Sequence, residues 1–274
     1  MKVSIITVTF NSEKTVEKTV NSVISQTYKN IEHIIIDNIS SDRTIEIVRS
    51  IHALAHQNIK SIIISEKDNG ISDAFNKGIH AASGDIILLL HSDDYLYDNY
   101  VVEKTVHIFK KENPDFTHGN VLFIDETYGT NIRFPIMKSL HHGMPFCHPG
   151  MFIKKEIYLK LGNYSTKFKF SMDFELICRM YKTVHQCRLK GFYINGEPLV
   201  TMMAGGMSWK HEFKTLYEQK ESLKLHNFWS LKSSLYLYNK IIRIYIKKIL
   251  LTLHLQNIIK CWRNYKWKTK ASVK

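Results

Sequence analysis

Five consecutive aliphatic residues, Ile86-Ile87-Leu88-Leu89-Leu90, followed at once by His91-Ser92-Asp93-Asp94, constrain this chain more than any other stretch. A short unbroken apolar run bounded by turn residues has the length and composition of a buried strand. Two adjacent carboxylates at the carboxyl end of such a strand are costly to desolvate unless a cation or a phosphate-bearing ligand lies opposite. In open α/β sheets that edge is where ligands bind. Ahead of the run, Gly70 to Ala82 reads as a short helix with Ala74, Ile79 and Ala82 facing inward, and Gly84 turns the chain into the strand.

The preceding residues repeat the alternation. Val3 to Phe10 reads as an opening buried strand, and Asn11-Ser12 as the N-cap of a helix over 13–26 that turns Val16, Val20, Val23 and Ile24 to one side. Ile31 to Ile36 is a second strand closing on Asp37, Ile45 to Ala55 a second helix, and Ile62-Ile63-Ile64 a third strand. Continuous apolar strands alternating with helices predict an α/β fold whose parallel sheet is covered on both faces. Asp37 and Asp93-Asp94 then converge on one edge.

Further on, Asn99 to Glu112 is helical, and Phe116–Ile124 with Asn131–Phe134 reads as a hairpin. The loop from Ser139 to Gly150 is rich in His, Cys and aromatics. Its spacing matches no zinc site, and saccharide stacking is the better use of it. A strand at Met151-Phe152-Ile153 and a helix from Lys155 to Leu161 follow. Asp173 and Glu175 open a further helix, either as N-terminal charge stabilisers or as chemistry. Gln186 to Met203 reads as two short strands around the Asn195-Gly196 turn signal.

The ordered run Ser65-Glu66-x-Asp68-x-Gly70-Ile71-x-Asp73-Ala74-x-Asn76-Lys77-Gly78, then Gly84-Asp85, then Ser92-Asp93-Asp94, resembles the nucleotide-sugar half of family 2 glycosyltransferases. The nearest branch builds O-antigen, capsule and exopolysaccharide repeats. The resemblance implies a GT-A fold, an α/β nucleotide-diphospho-sugar transferase domain over residues 1–215, and a transfer from a nucleotide sugar, in first place a UDP-hexose. It implies Thr7 and Phe10 around the base, and Asp37 accepting the imide N–H of uracil, although a turn cap is the alternative for Asp37. On the nucleotide side it implies Asp68, Asp73, Lys77 and Asp93. It implies Mg²⁺ or Mn²⁺ at Asp93 and Asp94, and Asp173 as general base with Glu175 in reserve. Gly205-Gly206-Met207-Ser208 resembles a loop that closes over the donor, with His211 either a metal contact or a surface residue. The missing Gln-x-x-Arg-Trp argues against a processive synthase. Two departures stand out: His91 replaces the usual first Asp, as a soft ligand or ribose contact, and Phe75 replaces a frequent Arg, a diphosphate role that would pass to Lys77.

Charge is unevenly placed. From Ser222 to Lys274 there are 12 Lys+Arg and no acid; subtracting these from the chain's 38 leaves 26 against 25 acidic residues before it. Nearly all of the +13 therefore lies in residues 216–274, a basic helical C-terminal region. Between Leu235 and Ile259, Lys240, Arg243, Lys247 and His254 share one side at helical period, and Ile242, Ile246, Ile249 and Leu253 the other. Trp262, Tyr265 and Trp267 alternate with Arg263, Lys266, Lys268 and Lys270 as interfacial anchors. This pattern predicts a peripheral segment on an anionic inner-leaflet surface, beside a lipid-linked saccharide acceptor; a helix packed on the catalytic domain is the alternative. No run is long enough to span a bilayer. Four cysteines without CxxC spacing suit a reducing cytoplasm. A sugar-1-phosphate nucleotidyltransferase would need a Gly-rich phosphate loop after the first strand, where Asn11-Ser12-Glu13-Lys14 stands. A nucleic-acid-binding protein would leave the acidic strand ends unexplained.

Overall fold

The computed structural model describes residues 1–54, 59–136, 140–187 and 189–271. The alternation expected for the first third forms as β1 (Val3–Thr9), α1 (Val16–Ile24), β2 (Ile31–Asp37), α2 (Thr44–Leu54), β3 (Lys60–Ser65), α3 (Ile71–Ala81) and β4 (Ile86–His91). Ala55, Ser139 and the side chains of Arg263, Lys266, Trp267, Lys268 and Lys270 lie outside what is described. After β4 come β5 (Tyr95–Leu96), α4 (Val101–Glu112), β6 (Phe116–Gly119), β7 (Val121–Asp125), β8 (Gly129–Arg133), β9 (Met151–Lys154), α5 (Lys155–Leu161), α6 (Met172–Cys187), β10 (Gly191–Ile194), β11 (Val200–Met203), α7 (Met207–Lys210), α8 (Glu212–Leu225), α9 (Leu231–Thr252) and α10 (Gln256–Ala271).

A seven-stranded sheet runs β10-β6-β9-β4-β1-β2-β3, with β1 to β4 parallel and β9 antiparallel to both β4 and β6. The sheet is thus mixed, with a parallel half that carries the acidic strand ends. Its apolar strands are buried on both faces, as the composition of β1, β2 and β4 requires. Gly78 lets α3 lie close on β1, since a Cβ there would fall 2.3 Å from the Ile6 Cγ2 methyl.

Four expectations change. Helix α1 starts at Val16, later than 13, because Asn11 is left-handed (φ 47°) and Ser12 donates its N–H to Thr44 Oγ1 at 2.7 Å. Residues 11–13 clasp the next loop, and Thr15 takes the N-cap position without a side-chain bond to the helix. Phe116–Ile124 is not one hairpin arm: it leaves the large sheet at Asn120, and only β7 pairs antiparallel with β8. Residues 191–203 change sheets at the same place. β10 pairs parallel with β6, and β11 parallel with β7, in a second sheet of order β5-β11-β7-β8. The Asn195-Gly196 turn is therefore a crossing between sheets, held by Asn120, which donates to the Gly196 carbonyl at 2.6 Å and accepts from the Leu199 N–H. Finally, the single helix expected from Leu235 to Ile259 is two, broken at His254 (φ 56°).

At the amino edge of the sheet, Glu32 is fully buried. It accepts from Ser4 Oγ at 2.6 Å, from the N–H groups of Ser83 and Gly84, from Ser83 Oγ at 2.7 Å, and pairs with Lys2 at 2.5 Å. Burial alone would raise its pKa, but these donors bring it down to about 2. Because the folded value lies below the ordinary glutamate value of roughly 4.3, its contribution is complete above that pH and is lost as pH falls toward 2. Glu32→Gln should lower stability at neutral pH by about 1–3 kcal/mol and flatten the acid limb of the stability curve, measured by urea unfolding from pH 7 to pH 3. An unchanged acid limb would exclude Glu32 as its source.

Candidate active site

The parallel register brings the carboxyl ends of four strands level. Thr9 pairs with Asp37, Asp37 with Ser65, and Val8 with His91. Above this edge the β1–α1 and β2–α2 loops are clasped: Asn11 N–H donates to Ser40 Oγ, Asn11 Oδ1 accepts from Ser41 N–H at 2.9 Å, and Glu13 Oε2 accepts from Arg43 N–H. Phe10 sits at the rim of this clasp, 56% exposed. A large apolar ring left in water at a strand end offers a stacking platform.

Asp37 is fully buried and already holds three donors, Ser40 N–H at 3.0 Å, Ser40 Oγ, and Ser65 Oγ at 2.6 Å. It is a turn cap, as one of its two readings held. A carboxylate has about four acceptor positions, so one remains on Oδ1 for a ligand N–H. Thr7 is corrected: it is fully buried, with its hydroxyl on His33 Nε2 at 3.0 Å, so it cannot face a nucleotide. Thr9, two residues on and at the strand end, has a buried hydroxyl with no partner in the protein. Position in the strand, last against antepenultimate, was the signal that separates them.

The β3–α3 loop supplies a second group. Gly70 takes φ 112°, which favours glycine, and donates its N–H to Asp68 Oδ1 at 2.8 Å. Asp73 accepts from Asn69 N–H at 2.9 Å and closes the start of α3. Burial pushes Asp68 up, reinforced by Asp73 and Asp37 and opposed by Lys77. The four residues therefore share one electrostatic neighbourhood. Lys77, however, is engaged, 2.9 Å from Glu66 and 2.6 Å from the Lys67 carbonyl, and Glu66 raises its pKa. Phe75 is wholly buried, its ring 5.1 Å from His91, 6.2 Å from His148 and 6.0 Å from Tyr164. A side chain at this position points into the core.

At the end of β4, Asp93 is half-buried and Asp94 buried. Asp94 Oδ1 accepts from Met203 N–H at 3.0 Å, and its carbonyl accepts from Thr19 Oγ1 at 2.7 Å. Burial, then the neighbouring Asp93, push Asp94 well above the usual carboxylate range. A divalent cation beside the pair would relieve that repulsion. Among the described residues no three His, Cys, Asp or Glu side chains form a cage. The two carboxylates suit a hard cation that takes few protein oxygens and fills its shell with phosphate and water. His91 is held below its usual range by burial, countered by Asp93.

Asp173 and Glu175, at the start of α6, differ sharply. Glu175 is buried, pairs with Arg179 at 2.9 Å and with His226 Nε2 at 2.9 Å, and Arg179 extends the pair to the carbonyls of Leu161, Gly162 and Asn163. Burial alone would raise Glu175, but the bonds from His226 and Arg179 hold it below the usual range. Its role in reserve is withdrawn: every oxygen is spent on packing. Asp173 is only half-buried, accepts just the adjacent Phe174 N–H at 2.8 Å, and is pushed up to about 6 by burial. The loop before it is tied to α3. Ser72 donates to the Phe168 carbonyl at 3.0 Å, and Asn76 exchanges two 2.8 Å bonds with the Tyr164 backbone. Sequence reasoning missed Glu218 of α8, whose carboxylate accepts from Lys169, Phe170 and Ser171 N–H at 2.9, 2.7 and 2.9 Å. No local pattern announces it. The His211 ring lies 4.8 Å from that of Phe170 and tilted to it, on this side of the site. In the His-rich loop, Phe146 is buried against His118 at 4.2 Å, His148 bonds Tyr164 Oη and His141 bonds Ser233, so these groups serve packing.

Residues 4–169 match the family model described as Glycosyl transferase family 2, more than half of the chain, and the chain belongs to this family. It is 32% identical over 184 residues to an uncharacterized glycosyltransferase of Mycobacterium tuberculosis, covering 65% of this chain and 68% of that protein. It is 24% identical over 179 residues to a PGL/p-HBAD biosynthesis glycosyltransferase of Mycobacterium bovis, covering 65% and 69%. Among solved structures, S. aureus TarS 1-349 in complex with UDP-GlcNAc matches with a TM-score of 0.67 at 16% identity, over 82% of this chain and 65% of that one. This chain spans 40% of the longer TarS chain. A mannosyltransferase from Pyrobaculum calidifontis in complex with GDP-Man and Mn²⁺ matches with a TM-score of 0.60 at 13% identity, over 97% and 87%. At such identities the likeness shows the fold, which is GT-A with a helical C-terminus.

Arg179→Ala would leave Glu175 with His226 alone and three carbonyls unbonded. Breaking a buried pair on one side costs about 3–5 kcal/mol, which denaturant unfolding should read directly. A loss below about 1 kcal/mol would mean the pair is not structural.

Proposed function

We propose that this protein is an inverting, non-processive glycosyltransferase that moves a hexose from a nucleotide sugar, in first place UDP-linked, to a lipid-linked saccharide in surface polysaccharide synthesis of the O-antigen, lipopolysaccharide or capsule kind. The observation that carries it is a half-buried carboxylate, Asp173, with a pKa raised to about 6, tied through Ser72 and Asn76 to the helix that follows the nucleotide-side loop. Family membership and the ligands bound in the TarS and mannosyltransferase structures, UDP-GlcNAc and GDP-Man, support the donor class.

In this reading Phe10 and Thr9 receive the base, and the remaining acceptor position on Asp37 takes the imide N–H. Asp68, Asp73 and Lys77 line the ribose and diphosphate side; Lys77 must leave Glu66 to meet a phosphate. Asp93 and Asp94 would hold Mg²⁺ or Mn²⁺, which when bound supplies positive charge against the diphosphate leaving group. Asp173 removes the proton from the acceptor hydroxyl as that oxygen attacks C1 on the face opposite the leaving group, which inverts the anomeric centre. The basic C-terminal helices hold the enzyme peripherally on the anionic cytoplasmic leaflet, where a lipid-linked acceptor lies. No helix among the described residues is long and apolar enough to cross a membrane.

The test is a donor screen that follows release of UDP, GDP or dTDP with Mg²⁺ or Mn²⁺ present and then with EDTA. Metal-dependent release from one UDP-sugar is expected, and Asp93→Ala should abolish it. Full activity in EDTA would remove the metal role, and no release from any donor would reject the transferase reading.

The base assignment carries its own pH signature. Asp173 acts only when ionised, so the rate constant should hold above about pH 6 and fall about tenfold per unit below it. Asp173→Asn should lower the rate constant roughly 10²–10⁴-fold with donor affinity intact. A pH profile that is flat through 6, or an active Asn variant, would assign the proton to another group.

A further inference from the structure

Of the basic face expected to meet lipid, Lys240 and Lys247 turn toward the body, while Arg243 and His254 stay exposed. Leu237 and Ile244 of α9 pack on Leu216 of α8, and Ser233 bonds His141. On the same side Lys247 lies 2.7 Å from Glu212 and 5.2 Å from the Trp209 ring. The opposite side of α9 is apolar and in water. Leu231, Leu235, Tyr238, Ile242, Tyr245, Ile246, Ile249 and Leu253 are all 38–76% exposed. At about 100° per residue they fall within an arc of roughly 100° that runs the length of the helix. Exposed Lys232 and Arg243 border one flank of this stripe and exposed Lys248 the other.

Resting on the peripheral-membrane reading above, we infer that this stripe is a preformed insertion surface: α9 lies flat in the headgroup boundary of an anionic bilayer, apolar stripe down, with the catalytic body on its back. Charge decides between occupants. A second copy seated on the stripe would bring the same bordering cations together, with no acid from Ser222 to Lys274 to offset them. An anionic leaflet complements them, and the stripe supplies the buried apolar area that cations alone lack. Because Lys247 and Lys240 are committed elsewhere, over Trp209 and Tyr236 respectively, attachment depends on the isoleucines more than on those lysines.

The experiment is co-sedimentation of the full chain with phosphatidylcholine vesicles, with and without phosphatidylglycerol, comparing wild type, Ile246→Glu, Ile249→Glu and Leu159→Glu. Leu159 is equally apolar and 76% exposed but lies on α5, away from the stripe. All three sites are exposed, so thermal unfolding should be unchanged. The expected result is binding to anionic vesicles that weakens about tenfold or more in each isoleucine variant and stays unaltered in Leu159→Glu. Wild type that ignores every vesicle would sink the membrane reading itself. Wild type that binds, with isoleucine variants binding equally well, would overturn the insertion stripe alone. A vesicle-free dimer that either variant splits would reassign the stripe to a contact between copies.

Discussion

The proposed site depends on a buried charge at the far end of the sheet. Glu32 closes the amino edge by gathering β1, the Ser83-Gly84 turn into β4, and Lys2 onto one carboxylate. A parallel sheet has no hairpins to set its register, and a one-residue slip would turn each side chain to the other face. The Glu32 network fixes β1, β2 and β4 relative to one another. Five residues later along β2, Asp37 then stands level with Thr9 and Ser65. A buried carboxylate earns such a place through specificity of arrangement as well as stability.

The opposite edge is left electrostatically unfinished. Asp68, Asp73, Asp37, Asp93 and Asp94 crowd it, and burial raises Asp68 and Asp94. Lys77 is the cation placed among Glu66, Asp68 and Asp73, and Glu66 already holds it. Such a concentration of carboxylates repels a nucleotide diphosphate unless positive charge arrives with it, which is why the metal and the donor are proposed together. By contrast Glu175, equally acidic in sequence, is neutralised by Arg179 and His226 and contributes only packing.

How much of this was legible depended on whether the signal was local. The strand–helix alternation, the carboxylates closing β2 and β4, and the helix opened by Asp173 are all local patterns, and each formed. Thr7 and Thr9 face the same side of β1, and only depth separates the one bonded to His33 from the one at the strand end. The crossing at Asn195-Gly196 carries the same turn residues as a hairpin, and only its partners, β6 and β7, decide otherwise. On α9 the helical period was read correctly, but periodicity cannot say which face the body takes. There Lys240 and Lys247 found aromatic rings and Glu212, while Ile242, Ile246 and Ile249 did not find a core.

Glu218 shows why the C-terminal helices are not an appendage. The expected boundary after residue 215 falls inside α8, and Leu223 of that helix belongs to the main core. Glu218 accepts from three N–H groups just ahead of Asp173, so a carboxylate from α8 fixes the loop that leads into the proposed base. It also adds negative charge near Asp173, which works with burial to keep that group's pKa high. The next helix, α9, is joined to the start of α8 by the Lys247–Glu212 pair and to its middle by Leu216. Position and basicity of the proposed base are therefore set by the same helical layer that presents the apolar stripe. A surface that orients α9 would orient the acceptor side of the site with it, through packed side chains and no hinge.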